Sequence, residues 1–187
     1  MSELFVKNMV CNRCITVIQN ELEKLGLNFT NIKLGEVTLA RALTPDERNS
    51  LEGVLVPLGF QVIDDKKSRI IEKIKNVIVY LVHHQDNSSK TNLSDILSNE
   101  LSHEYNYLSN LFSEVEGTTI EKYFIAQKVE KVKELLVYDE LSLSEIAIRL
   151  NYSSVAYLSN QFKKVTGLTP SHFKLIREDK RKSLDKV

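Results

Sequence analysis

Cys11 and Cys14, in Cys11-Asn12-Arg13-Cys14, place two sulfurs at the spacing that binds a soft metal ion or cycles through a disulfide. Both cysteines of the chain lie in this one motif rather than spread as a disulfide framework, which fits a reducing compartment. A second set of chemically able residues is written twice. Sliding the sequence by 50 places Tyr107-Leu108-Ser109-Asn110 on Tyr157-Leu158-Ser159-Asn160. Small and amide side chains on a helix face can approach a base edge, and Asn pairs bidentately with adenine. In the second copy Lys163 and Lys164 follow, side chains of the kind that neutralises phosphate. His83-His84 is a further pair of candidate ligands, for which favourable charge at a helix C-terminus is the better account.

The elements that would position the second set lie in the same repeat, which aligns residues 93–123 with 143–173 without a gap. Such a repeat is one supersecondary unit used twice. In the second copy Ser142-x-x-Glu145 has capping-box spacing, and a short helix runs to Leu150 with Ile146, Ala147 and Leu150 on one face. Asn151 tolerates the left-handed conformation of a sharp turn. Ser153 is the expected N-cap of a second helix reaching about Val165, and Gly167 stops it. The first copy has a cap at Asn92 or Thr91, a turn before Ser102, a second helix to Val115, and then Gly117. Helix, tight turn and capped helix make the helix-turn-helix plan.

Leu108, Phe112 and Val115, like Leu158, Phe162 and Val165, recur at i, i+4, i+7 and are the expected core. The outward set is then Asn106, Ser109, Asn110 and Ser113 in one copy. In the other it is Ala156, Ser159, Asn160 and Lys163, with Ser154 and Lys164 beside them. A solvated polar face is the competing account, and matching outward residues in two copies weigh against it. Between the copies a helix from Thr119 to about Val137 carries a stripe of Ile125, Val129, Val132, Leu135 and Leu136. Its length, roughly 27 Å at 1.5 Å per residue, would hold the two second helices near one DNA turn apart, about 34 Å.

Residues from about Ser68 to Arg177 resemble the DNA-binding region of the AraC/XylS family of bacterial transcription regulators. The resemblance is carried by Leu135-Leu136, Ser144-Glu145-Ile146-Ala147, Leu150-Asn151-Tyr152-Ser153, Phe162-Lys163-Lys164, and Gly167-Leu168-Thr169-Pro170 with Phe173. It implies two helix-turn-helix subdomains over residues 68–178, reading two successive major grooves of double-stranded DNA from one side. RNA polymerase is a candidate second partner. Charge separates the two copies. No Lys or Arg lies between Lys90 and Lys122, whereas Glu100, Glu104, Glu114 and Glu116 do. Residues 141–187 hold nine Lys/Arg against four Asp/Glu, residues 66–140 ten against twelve, and residues 1–65 six against nine. A zero net charge therefore conceals a basic C-terminal end, including a tail at 179–187 with Lys180, Arg181, Lys182 and Lys186. Because phosphate neutralisation supplies much of DNA affinity, the first copy is expected to bind weakly.

The first 65 residues have another character. Leu4–Lys7 reads as a strand, Cys14–Leu25 as a helix ended by Gly26, and Phe29–Leu34 and Val37–Arg41 as strands turning at Gly35-Glu36. Thr44-Pro45-x-Glu47 starts a helix that fades near Pro57, and Phe60–Ile63 closes the set. The order βαββαβ is the ferredoxin-like pattern, so the whole chain reads as α+β: this small domain, then an all-α double helix-turn-helix. Met9-Val10-Cys11-Asn12-Arg13-Cys14 and Gly59-Phe60 resemble heavy-metal-associated domains, with Asn8 and Val10 where that family commonly has Gly and Thr. The resemblance implies a soft ion, Cu(I) or Zn, held by Cys11 and Cys14. A redox pair and a metal-free relic remain the other readings. The helix N-terminus and Arg13 are expected to lower the thiol pKa values. Only Asp64-Asp65-Lys66-Lys67 separates this domain from a helix whose stripe, Ile70, Ile71, Ile74, Val77, Ile78, Leu81 and Val82, is expected to pack into the first helical subdomain.

At 187 residues and 42% hydrophobic content the chain suits one large or two small globular domains. No apolar run approaches membrane-spanning length and Met1-Ser2-Glu3 opens no signal peptide, so a cytoplasmic location is expected. No Ser/His/Asp grouping, phosphate-cradling Gly loop or carboxylate pair stands out, which leaves a thiol oxidoreductase as the one enzyme reading worth keeping. The leading expectation is a DNA-binding regulator with a metal- or thiol-responsive N-terminal domain. The alternative is a metal-binding carrier or adaptor whose helical part docks a protein partner.

Overall fold

The structure, a computed structural model, describes residues 2–63, 66–84 and 92–176. The expected Thr91 cap, the Asp64-Asp65 junction, the loop at 85–91 and the basic tail lie outside the described residues. Two compact units divide between Asn76 and Val77, inside a helix, whereas the sequence places the boundary at 65–68.

In the first unit the order is β1 (Ser2–Lys7), α1 (Asn12–Lys24), β2 (Phe29–Lys33), β3 (Glu36–Leu39), α2 (Pro45–Leu55) and β4 (Gln61–Ile63). The four strands form one sheet ordered β2-β3-β1-β4, every neighbouring pair antiparallel. Local chemistry sets the boundaries. Thr44 and Glu47 close the expected capping box on α2, and Gly35 turns β2 into β3 at φ 78°. Leu4 and Val6 of β1 join Val37, Leu39, Ile18, Leu22, Leu51 and Leu55 in one core, so α1 and α2 cover one face of the sheet. Strand alternation sends Phe5 to the other face.

That second face is where the helix α3 (Lys66–Val79) begins. The Arg69 guanidinium lies 4.5 Å and the Lys73 ammonium 5.1 Å from the centre of the Phe5 ring. Lys73 also pairs with Glu36 at 3.6 Å, and Asn76 Nδ2 donates to the Leu34 carbonyl at 3.1 Å. Gly35 is required twice here, since a Cβ would lie 2.1 Å from Asn76 Nδ2 in addition to straining the positive φ. The apolar stripe of this helix is therefore divided. Ile71 and Ile74, both buried, belong to the sheet unit, and Ile78 and Val82, also buried, to the helical one, whereas the sequence alone assigns the whole stripe to the first helical subdomain. A sheet whose second face carries a phenylalanine needs cover on that side as well.

In the second unit, a π-turn (Tyr80–His84) ends the run from α3, and α4 (Leu93–Leu101), α5 (Tyr105–Glu116), α6 (Ile120–Tyr138), α7 (Leu143–Arg149), α8 (Val155–Thr166) and α9 (Pro170–Ile176) follow. The linking helix α6 has 19 residues and hence a length of about 28 Å. It packs against α5, α7, α8 and α9 and is buried on nearly every side. Ile120, Val129, Val132, Leu135 and Leu136 supply the apolar part, and the buried Lys133–Glu130 pair, 2.6 Å apart, supplies a polar one.

The repeat is also a structural one. Phe112 packs on Tyr123 with ring centres 5.6 Å apart, and the equivalent Phe162 on Phe173 at 5.5 Å. Thr119 Oγ1 accepts from Lys122 N as Thr169 Oγ1 accepts from His172 N. Ser142 and Glu145 form the capping box on α7, and Asn151 makes the sharp turn at φ 51°. Gly117 and Gly167 end α5 and α8 in the left-handed conformation. Three expectations need correction. The N-cap of α8 is Ser154, not Ser153, because Ser154 is the extended residue whose Oγ accepts from Tyr157 N at 3.1 Å. Ser102 is itself the left-handed turn residue of the first copy. Val115 and Val165 are 46% and 47% exposed, so burial ends with the phenylalanines one turn earlier, and Leu111 is buried instead. Helical phase gives a residue's direction but not whether a neighbour covers it.

Candidate nucleic-acid interface and thiol site

The outward face of α8 begins at its cap. Ser154, Ala156, Asn160, Lys163 and Lys164 are exposed and Ser159 is half-buried, while Leu158 and Phe162 anchor the opposite side in the core. On α5, Asn106 and Asn110 are exposed, Ser109 and Ser113 half-buried, and Leu108, Leu111 and Phe112 buried. The two helices match in exposure at Ser109 and Ser159 and at Asn110 and Asn160, whereas Ser113 is half-buried where Lys163 is exposed. Both place an Asn and a Ser on an accessible helix surface, the geometry that hydrogen-bonds base edges in a major groove.

The copies differ in charge and in anchoring. Where α8 has Lys163 and Lys164, α5 has Ser113 and Glu114. Ser142 and Ser154 cap α7 and α8 with hydrogen bonds, whereas Asn92 and Glu104, at the starts of α4 and α5, make no side-chain cap. The start of α5 is instead tied to α6 by the Tyr105 hydroxyl donating to Glu121. Burial and that carboxylate push the Tyr105 hydroxyl pKa up, and the same bond pulls Glu121 down. Beneath the turn before α8, the Lys128 ammonium lies 3.9 Å from the centre of the Tyr152 ring, and burial lowers Lys128 to about 8. Sequence patterning did not single out Lys128, because a lysine within a helical stripe reads as solvated.

His83 does not act as a helix-terminal cation. Burial lowers its pKa to about 4, and its Nε2 meets Gln127 Oε1 at 3.1 Å, with Gln127 Nε2 donating to the Tyr123 hydroxyl at 3.0 Å. The expectation of favourable charge fails for this residue because the neutral ring is packed against α6. The histidine pair also gathers no further ligands: no group of three or more His, Cys, Asp or Glu with metal-holding geometry occurs among the described residues.

In the first unit Cys11 is the N-cap of α1 and Cys14 the last residue of its first turn, with Cys14 N donating to Cys11 O at 2.9 Å. That turn brings the free Sγ atoms to 3.5 Å, both half-buried. Two sulfurs bound to one ion at Zn–S lengths of about 2.3 Å in tetrahedral geometry stand roughly 3.8 Å apart, so the pair fits two corners of such a site after a small adjustment. Contrary to the expected lowering, burial pushes the Cys14 thiol above its ordinary value, and the hydrogen bond to Cys11 adds to the rise. Met9 is fully buried beneath the loop, and Asn8 takes a positive φ of 71°, a conformation Asn accepts more readily than other non-glycine residues. Sequence patterning assigns no role to Glu72. It is 5% exposed, and its Oε1 accepts from Asn8 N at 2.9 Å. The one available signal is a carboxylate inside the apolar run Ile70-Ile71-Glu72-Lys73-Ile74.

No helix among the described residues is long and apolar enough to cross a membrane. Residues 97–175 match a family model described as a helix-turn-helix domain. The chain is 27% identical over 136 residues to an uncharacterised helix-turn-helix-type transcriptional regulator, YtdP, of Bacillus subtilis (strain 168), covering 73% of this chain and 17% of that one. It is 25% identical over 142 residues to the xylose operon regulatory protein of Escherichia coli (strain K12), covering 75% and 36%. The chain thus spans well under half the length of either regulator. Among solved structures, the C-terminal domain of AraT, a response regulator from Geobacillus stearothermophilus, superposes with a TM-score of 0.51 at 26% identity, over 63% of this chain and 95% of that one. The matched residues, the two capped helices at a 50-residue offset and the joining helix α6 agree on one assignment: residues 97–175 of this chain form a helix-turn-helix domain, similar to those of transcription regulators.

Proposed function

We propose that the chain is a sequence-specific transcription regulator that docks on operator DNA chiefly through α8, with α5 as the weaker second reader. We further propose that its N-terminal domain, ferredoxin-like and resembling heavy-metal-associated domains, holds a soft metal ion on Cys11 and Cys14. The observation carrying the first part is the matched exposure of α5 and α8 at positions that hold Asn and Ser in both. In this reading Lys163 and Lys164 neutralise phosphate and Asn160 and Ser159 read one groove. Asn110 and Asn106, with Ser113 beside them, face the next, and Ser154 and Ala156 let the backbone of α8 approach the DNA.

The second part is supported by the βαββαβ order, the sheet order β2-β3-β1-β4 and the 3.5 Å separation of the sulfurs at the start of α1. Cys11 and Cys14 would hold a soft ion as thiolates, each giving up its proton on binding. The chain's own residues then orient the donors. Met9 fixes the loop from below, and the Cys14 N–H to Cys11 O bond sets the turn.

Selection on random duplex DNA followed by gel shift tests the first part, and a Cu(I) titration against a competing chelator tests the second. A recovered motif with two half-sites about one turn apart, and about one Cu(I) per reduced chain lost in Cys11→Ser with Cys14→Ser, are the expected results. No sequence-selective binding would overturn the regulator reading and leave the adaptor reading, which the acidic surface of α5 favours. Equal Cu(I) uptake by the double variant would overturn the thiol site.

A further inference from the structure

We infer that Glu72 is the positioning residue of the thiol loop, and that α3 reports the ligand state of that loop through it. The inference rests on the proposed soft-metal reading of Cys11 and Cys14. It starts from an unusual placement of a carboxylate. Glu72 lies on the face of α3 turned to the sheet and is 5% exposed, a location a carboxylate occupies only when its oxygens are hydrogen-bonded. One oxygen accepts from the Asn8 backbone N–H at 2.9 Å. Asn8 is the hinge between β1 and the loop, at φ 71°, and its Nδ2 donates to the Gly59 carbonyl at 2.8 Å. The loop is therefore held from two sides at its first residue, three positions before Cys11.

Other contacts of α3 hold it elsewhere on the sheet unit. Arg69 and Lys73 lie over Phe5, Lys73 pairs with Glu36, and Asn76 donates to Leu34 O. These hold the helix on the strands and on the β2–β3 turn. Glu72 alone among these contacts reaches the segment that leads into the cysteines. Met9, the next residue, is fully buried, so a shift of Asn8 cannot be absorbed by Met9 without disturbing the core. A change at the sulfurs thus strains or relaxes the Asn8–Glu72 bond, and α3 carries Glu72.

The test uses full-length, reduced protein and begins without metal. Iodoacetamide alkylation of the two thiols, followed by mass spectrometry, should run roughly tenfold faster in Glu72→Ala, as expected for the loss of a hydrogen bond to a charged group. Glu72→Gln keeps an acceptor oxygen and should stay within about twofold of wild type. Lys73→Ala, which loosens α3 on the strands without touching the loop, should also stay near wild type. A wild-type rate in Glu72→Ala, or an equal acceleration in Glu72→Gln or Lys73→Ala, overturns the positioning role. Should Glu72→Ala not fold, hydrogen exchange on the wild type decides. The Asn8 amide is expected to exchange with the protected amides of 70–76, and exchange at an unstructured rate overturns the inference. One equivalent of Cu(I) should then alter protection across 66–76 in the wild type and not in Glu72→Ala. An unaltered wild type that has bound Cu(I) overturns the reporting role. Failure of the wild type to bind Cu(I) at all sinks the metal reading and with it the reporting role, while the metal-free alkylation still decides the positioning of Glu72.

Discussion

Replacing Lys163 and Lys164 by alanine is the perturbation that most directly probes how α8 meets DNA. Both side chains are exposed on the last turns of a helix whose other side is locked by Leu158 and Phe162, so the change leaves the fold nearly untouched. If each lysine neutralises one phosphate, the slope of log K against log salt flattens by about 0.9 per contact, hence by about 1.8 for the pair. Between about 50 and 200 mM salt, a fourfold change, the ratio of wild-type to variant affinity then shrinks by four to the power 1.8, about twelvefold. The loss should be uniform across operator and unrelated sequence, because phosphate contacts carry no sequence information. Fluorescence anisotropy of a labelled duplex, titrated at four or five salt concentrations, reads both quantities. An unchanged slope, or a loss confined to the operator, would refute the assignment of these lysines as phosphate contacts.

Asn160→Ala should relax base preference at one or two operator positions, costing roughly 1–3 kcal/mol against the wrong base, with Asn110→Ala doing the same in the other half-site; recovery of the wild-type motif by selection on random DNA would exclude Asn160 as a reader. His83, at about 4 in the fold and near 6.5 when unfolded, adds stability that is fully present above about pH 6.5 and is lost as pH falls toward 4, by up to about 3 kcal/mol. Urea unfolding of wild type and His83→Gln should therefore draw together on acidification, and a constant gap would show that the ring is not held neutral. Gly35→Ala should destabilise the sheet unit by roughly 1–3 kcal/mol through its positive φ and the clash with Asn76; a partial rescue by Asn76→Ala in thermal melts would identify the steric share, and full additivity would deny it.

The parts legible in the sequence were those that local chemistry decides. Ser142-x-x-Glu145 and Thr44-Pro45-x-Glu47 mark their helix starts because a capping box is satisfied within one turn. Asn151, Gly117 and Gly167 mark turns because few residues accept a positive φ. The matched outward residues of α5 and α8 were legible because a repeat supplies its own comparison. What escaped depends on which surfaces meet. Val115 and Val165 have the right helical phase and no cover. The stripe of α3 is shared between two units because a second sheet face, identified by Phe5, needed burying. The shift of the Cys14 thiol followed burial, not the helix N-terminus, and burial is a property of the packed chain.

On the proposed reading, the asymmetry of the two helix-turn-helix copies divides affinity and specificity between them. Phosphate contacts position a protein on any duplex, and base-edge contacts discriminate among sequences. The second copy carries what positioning needs: side-chain caps at Ser142 and Ser154 that fix its helices, and Lys163 and Lys164 on the exposed face of α8. The first copy keeps Asn106, Ser109 and Asn110 in the same outward places but sets Glu104 and Glu114 beside them. Those carboxylates raise the cost of bringing α5 to a phosphate backbone on every sequence, while hydrogen bonds from the asparagines offset that cost only where the right bases are present. On the proposed reading, the acidic copy thus lowers non-specific binding more than operator binding. Since occupancy in a genome is decided by the ratio of the two, a copy that binds weakly alone can still raise the selectivity of the pair.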